Sequence, residues 1–212
     1  MRIGIIACES FKRALDNLVD GDPDIVYKEY LEFGLHTYPE VLRSTVVEKV
    51  NALEGRVDAL FLGYGICNSL RNVTENVRVP TIHLEVDDCI GFLLTPKEYE
   101  RERKKCAGTL YHTPYFAEMS NEIFEKSFRK ELPNYEELGI DLEWYLDRLF
   151  DGYSRVLFID DGLGDRERLE TLSRQWALGR NLFHESRCGT LSLLKEGLAR
   201  TKLLAMTITR AP

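Results

Sequence analysis

Four short apolar runs limit what this chain can fold into. Residues 2–7 (RIGIIA), 57–62 (VDALFL), 79–84 (VPTIHL) and 155–159 (RVLFI) are rich in aliphatic and β-branched residues and bounded by turn signals. A strand with one wet face alternates polar and apolar residues. These runs do not, which is the pattern of strands covered on both faces. Amphipathic helical stretches lie between them, as at residues 39–53, where Val41, Leu42, Val46 and Val50 form an apolar stripe. The alternation predicts an α/β fold with a mainly parallel sheet flanked by helices.

The remaining elements follow from local signals. Residues 11–19 read as a helix capped by Ser10, 25–30 as a second strand, and a short polar helix follows Cys67. Thr95-Pro96 and Thr113-Pro114 each place an N-cap before proline, opening helices at 97–105 and from Tyr115 to about Lys130. Residues 108–112 suit a fifth strand, 140–150 and 166–177 two more helices, and 181–184 another strand. A helix at 191–198 and a closing apolar strand at 202–208 complete the reading.

With 212 residues the chain can form a single domain, or two lobes divided at about 1–106 and 107–212. An internal echo favours the second arrangement. Residues 57–65 and 155–164 both run from an apolar strand into a glycine-rich turn. His83, Glu85, Cys89 and Gly91 are then matched by His184, Glu185, Cys188 and Gly189. Two similar βαβ-type lobes would face each other across a ligand cleft.

Charge narrows the list of partners. A net charge of −7 disfavours nucleic acid and anionic membrane surfaces. No apolar run approaches the ~20 residues of a spanning helix. The opening MRIGIIACES has too short an apolar core for a signal peptide, so the expected location is cytoplasmic. Five cysteines without dense spacing do not form a disulfide framework.

Three of those cysteines follow strands. Cys8 ends the first, where the positive end of the next helix would favour its thiolate. Cys67 follows the turn after residues 57–62, and Cys89 follows the strand bearing His83. Parallel strands deliver their C-terminal loops to one edge, so Cys8, Cys67, His83 and Cys89 form a candidate ligand set for zinc or iron. Glu9, Asp87 and Asp88 are the candidate proton-transfer groups. Tyr64, Gly65, Asn68, Asp160 and Asp161 are candidate substrate-binding residues; Asp160-Asp161-Gly162-Leu163-Gly164 suits a cation or a sugar hydroxyl better than a phosphate. Cys188-Gly189-Thr190, with Arg187, would suit an anion at a helix start. Cys106 is expected to be incidental, and His36 and His112 to be packing residues.

Several of these segments resemble one family. ACES near the start, FLGYGICNSL, the histidine-bearing strand ending at Cys89, and FLLTPKEYERERKKCAGTLYHTP resemble the DUF1638 family. Its members typically show an early A-C-G, a Y-G-x-C-G turn, a further cysteine and a G-T-Y-F-L-T segment before a helix. Glu9 and Asn68 stand where that pattern has glycines. The family is largely uncharacterised, and its members often accompany corrinoid-dependent methyltransferase systems.

The resemblance implies a metal-thiolate protein of one-carbon or corrinoid-linked methyl-group metabolism. It would be a metal-dependent methyl-transfer or hydrolytic enzyme, or an accessory protein. Zinc or iron would be its own metal, with corrinoid reached only through a partner, either a corrinoid protein or a methyltransferase. Two alternatives stay open: a metal-free protein that binds a small-molecule ligand, and a docking partner of a methyltransferase.

Overall fold

A computed structural model describes residues 1–209. In chain order the elements open with β1 (Ile3–Cys8), α1 (Lys12–Leu18), β2 (Ile25–Leu31), α2 (Pro39–Asn51), β3 (Ala59–Gly63) and β4 (Thr81–His83). Next come α3 (Cys89–Leu94), α4 (Pro96–Lys105), β5 (Thr109–His112), α5 (Pro114–Glu131), α6 (Tyr135–Leu138) and α7 (Leu142–Leu149). The chain closes with β6 (Arg155–Asp160), α8 (Arg166–Gly179), β7 (Phe183–Cys188) and α9 (Ser192–Thr209).

The α/β expectation is met: strands alternate with helices, and every strand pairing is parallel. Two compact units result. One is Met1–Glu98 with the stretch from Thr190 onward, and the other is Tyr99–Gly189.

The first unit holds a sheet of order β2-β1-β3-β4. Every residue of β1 and β3 is buried, as their unbroken apolar sequence requires. Helix α9 packs on β3, with Gly197 set against the ring of Phe61 so closely that even a methyl group there would clash. This overturns the expected closing strand at 202–208, which lies inside α9. A continuous apolar run reads alike in a helix and a buried strand. Here the helix begun at Ser192 carries through it. The polar stretch after Cys67 forms only a 3-10 turn, Val73–Asn76, instead of a helix.

The second unit is built on β5-β6-β7. Helix α8 packs on β6 and β7, and α5 packs on α8 and β6. Ser173 Oγ of α8 lies 3.0 Å from both His112 Nδ1 on β5 and His184 Nε2 on β7. His112 is thus the packing residue expected, wedged against Phe116 and Trp176. An ion network lies on the opposite face of the sheet, since Arg155, Glu185 and Arg187 alternate with His184 along the strands. Arg155 is buried against Glu102 (2.7 Å) and reaches Glu185 (2.7 Å), and Arg187 meets Glu102 at 3.1 Å.

The echo between the two halves does not survive at the level of register. His83 pairs with Leu62 near the C-terminal end of β3, whereas His184 pairs with Val156 at the N-terminal end of β6. Cys188 is the last residue of β7, while Cys89 opens α3, six residues beyond the end of β4. The connections differ too: a 3-10 turn in one case, the long helix α8 in the other.

Candidate functional site

Strand order fixes where the first unit can bind a ligand. From β1 the chain turns one way to β2, then returns to place β3 on the other side of β1. The connections therefore leave β1 and β3 in opposite directions, opening a crevice at their C-terminal ends, where open parallel sheets place their ligands. Cys8 is the last residue of β1, and Tyr64-Gly65-Ile66-Cys67 follows directly on β3.

Gly65 makes the turn possible. A Cβ there would collide with the backbone of Asp88, so only glycine lets these two loops touch. They are then joined by two backbone bonds, Ile66 N–H to Val86 O (2.7 Å) and Cys67 N–H to Asp87 O (2.9 Å). The pairing carries Cys67 towards Cys89, which opens α3 under the cap formed by Asp88. Asp88 Oδ1 accepts from the amides of Ile90 (2.9 Å) and Gly91 (3.1 Å). Cys67 and Asn68 both adopt left-handed backbone, at φ 44° and 61°. Asn68 thus stands where glycine would be at ease, and asparagine is among the side chains that best tolerate that conformation.

Cys8, Cys67 and Cys89 gather around Tyr64. All three thiols act on the Tyr64 hydroxyl, which together with its burial raises its pKa. They also act on one another: Cys8 on Cys67, and both on Cys89. Burial is the largest influence on each thiol. It raises Cys8, pushes Cys67 up to about 12, and holds Cys89 well above the usual range. Nearby carboxylates add to this, Glu9 on Cys8 and Asp88 on Cys67 and Cys89. The Cys8 thiolate expected from a helix dipole is therefore overturned. A 3-10 turn, Glu9–Phe11, stands between Cys8 and α1, and desolvation outweighs the hydrogen bonds that favour the anion.

His83 ends β4 with Nε2 3.4 Å from Gly65 O. Burial lowers its pKa, so the ring is neutral at pH 7 and keeps a lone pair to offer. Among the described residues, however, no three His, Cys, Asp or Glu side chains are arranged to hold a metal ion. The donors have the chemistry of a soft-cation site, and their side chains as placed do not close on one point. The hydroxyl of Tyr64 is buried there without a hydrogen-bond partner.

The other candidates divide. Glu9 lies in the turn beside Cys8, and Asp87, whose carbonyl accepts from the Cys67 amide, is exposed. Asp88 is already occupied as the α3 cap, which leaves it less free to move a proton. Asp160 and Asp161 belong to the second unit. They accept from Gly162 and Leu163 amides in their own loop, and Asp160 faces Arg166 at 3.5 Å. Arg187, expected beside an anion, is held by Glu102 and Glu185. Cys106, in the second unit, contacts Ser154 at 3.3 Å.

One contributor escaped the sequence reading. Ser10 is not a helix cap: its hydroxyl donates to Cys8 Sγ at 3.2 Å. The Cys-x-Ser spacing was visible, but its meaning depends on the 3-10 turn between them.

No helix among the described residues is long and apolar enough to cross a membrane. No curated protein and no solved structure matches the chain. A family model, described as protein of unknown function (DUF1638), matches residues 30–198 and so takes in β3, the cysteine-bearing turn, β4 and α3. The chain therefore belongs to the DUF1638 family, as the turn at Tyr64–Cys67 and the segment at 108–113 led one to expect.

Proposed function

We propose that this protein binds a soft divalent cation, zinc or iron, at Cys8, Cys67 and Cys89, with His83 beside them, and uses it in one-carbon chemistry. The observation that carries the reading is a charge imbalance. Three thiols lie near enough to influence one another at a parallel-sheet switch point, and the carboxylates acting on them, Glu9 and Asp88, are negative. Carboxylate surroundings favour a cation, and thiols favour a soft one. Left-handed backbone at two successive non-glycine residues, Cys67 and Asn68, is a strain commonly kept for a functional reason.

A bound Zn²⁺ would ionise coordinated thiols and hold a substrate thiol or water at neutral pH. The protein's own part is to position the three sulfurs and exclude water from β1 and β3. His83 offers a neutral nitrogen, and the exposed Asp87 can take up the proton released. Side-chain rotation about χ1 at half-buried Cys67 and Cys89 would bring the donors together. Corrinoid-linked methyl transfer, as enzyme or accessory, is the setting suggested by the family resemblance. A corrinoid protein or methyltransferase would then be the partner, in the cytoplasm.

The test is metal analysis of anaerobically purified protein, with Cys67→Ser and Cys106→Ser compared. Near-stoichiometric zinc or iron, lost in Cys67→Ser and kept in Cys106→Ser, is the expected result. A second reading is favoured by the raised thiol pKa values: neutral cysteines lining a metal-free site for an uncharged small molecule. Protein that carries no metal and takes up none would leave that reading in possession.

A further inference from the structure

Strand β7 ends its sheet, and its main chain is open on one side. The amides of Phe183 and Gly189 donate towards β6, to Ser154 O (3.0 Å) and Asp160 O (2.7 Å). In a parallel pair alternate residues bond to the same neighbour. Phe183, Glu185 and Arg187 therefore turn their main chain to β6, and His184, Ser186 and Cys188 turn theirs to the open side. Among the described residues no main-chain partner meets those three from that side. Ser186 O is met instead by a side chain of its own strand, with Arg187 Nη1 donating at 2.8 Å. Both end residues of the strand are exposed, Phe183 by 80%.

An open edge invites a further strand. Charged side chains normally guard such an edge, and β7 carries two on one face, Glu185 and Arg187, 35% and 40% exposed. Their spacing makes this edge complementary to itself. They are opposite in sign and two residues apart, so they face each other when two β7 strands pair antiparallel about a two-fold axis at Ser186. Glu185 of each copy then lies across from Arg187 of the other. An axis one step away, at Glu185 or Arg187, would set like charges opposite each other, which is unfavourable. The register at Ser186 also pairs His184 with Cys188 and Ser186 with itself, so every outward amide and carbonyl finds a partner. Phe183 falls opposite Gly189, where its ring covers a position without a side chain. The edge at β2 offers no such match, since Lys28 and Glu29 are adjacent and point to opposite faces.

We propose that β7 is a self-pairing edge, through which two copies of this chain join their three-stranded sheets into one continuous sheet about a two-fold axis at Ser186. The contact uses the same surface on both copies, so it closes at a dimer. It draws on none of the cysteine chemistry of the first unit.

Sedimentation velocity of the full, reduced chain tests the proposal. Wild type should sediment as two chains and Ser186→Pro as one. Proline there removes an amide that points outward, so no bond between β7 and β6 is lost and the circular dichroism spectrum should be unchanged. Disulfide trapping reads the register without relying on that variant, and decides the matter if the proline disturbs folding. In a Cys188→Ser background, Ser186→Cys should give a covalent dimer on oxidation. Residues facing each other across the axis have Cα atoms about 5.5 Å apart, within disulfide reach. Phe183→Cys should give none, although it is more exposed, because its counterpart lies about 20 Å away along the strand. A wild-type chain that stays single in concentrated solution would overturn the proposal and leave the edge to a strand of another protein. A dimer that folded Ser186→Pro leaves intact, or one trapped as readily at position 183 as at 186, would overturn it by placing the contact elsewhere.

Discussion

Gly65 and Asp88 touch backbone to backbone, and this contact holds the turn bearing Cys67 against the loop that leads to Cys89. The position has no room for a methyl group, and the obstacle is main chain that cannot rotate away. Gly65→Ala should therefore cost about 1–3 kcal/mol, the usual range for overpacking. It should also separate the two cysteines. Gly34→Ala is the control: nothing lies within 4 Å of a Cβ there, so its effect should stay within about 0.5 kcal/mol. Urea unfolding of both variants measures the difference, and equal midpoints would contradict the contact.

Asn68 offers a second, opposite test. At φ 61° the residue pays for a conformation that glycine adopts freely. Asn68→Gly should be neutral or slightly stabilising, and Asn68→Val should destabilise by about 1–2 kcal/mol. Because Asn68 is exposed, side-chain packing contributes little to either value. Paired denaturation curves decide it. A Val variant as stable as the Gly variant would mean that the turn relaxes and is not needed as built.

How far the sequence revealed this arrangement depends on the range of the interaction involved. β1, β3 and β6 were legible because full burial of a strand leaves an unbroken apolar signature. The same signature misled at 202–208, where Leu203 is 63% exposed on a helix and only its length, counted from Ser192, distinguishes it from a strand. Strand ends suggested one edge for Cys8, Cys67 and Cys89, yet Cys89 opens a helix six residues beyond β4. Their protonation was not legible, because desolvation depends on which side chains pack around a sulfur. The apparent repeat failed because order along a chain says nothing about register: His83 and His184 occupy opposite ends of their strands.

Stability should fall as the solution is acidified, starting at the histidines. His112 is fully buried, which lowers its pKa to about 3, with the neighbouring His184 adding to the effect. His184 and His83 are also lowered, chiefly by burial. An unfolded histidine takes up its proton near pH 6.5, so below that pH the unfolded chain binds more protons than the folded one. The stability these groups lend is complete above pH ~6.5 and is lost as pH drops towards their folded values, at up to ~1.4 kcal/mol per pH unit for each group. Glu185, held at about 2 by Lys105 and Arg155, adds its own loss only below the unfolded carboxylate range of pH ~4.3. Urea midpoints between pH 7 and 5 should decline in wild type and decline less steeply in His112→Gln. Parallel slopes would show that His112 is not the group responsible.

The final prediction concerns the ion pair that ties α4 to β6. Arg155 and Glu102 are both buried, with side chains only 5% and 6% exposed, and they meet at 2.7 Å. Arg155 also donates to Thr109 Oγ1 at 3.0 Å and to Glu185 at 2.7 Å, so its guanidinium is satisfied on several sides. Removing one partner of such a pair strands the other charge in a dry environment, at a typical cost of 3–5 kcal/mol. Arg155→Met keeps most of the apolar bulk yet leaves Glu102 with only Arg187, whose side chain is 40% exposed. We expect a loss near the lower end of that range, because Arg187 offsets part of the orphaned charge. Glu102→Gln in the Arg155→Met background should recover stability, since it removes the charge that was left behind. Chemical denaturation of the two single variants and the double variant gives the coupling energy directly. Strictly additive losses would mean that each side chain contributes through packing and that the pair itself contributes nothing.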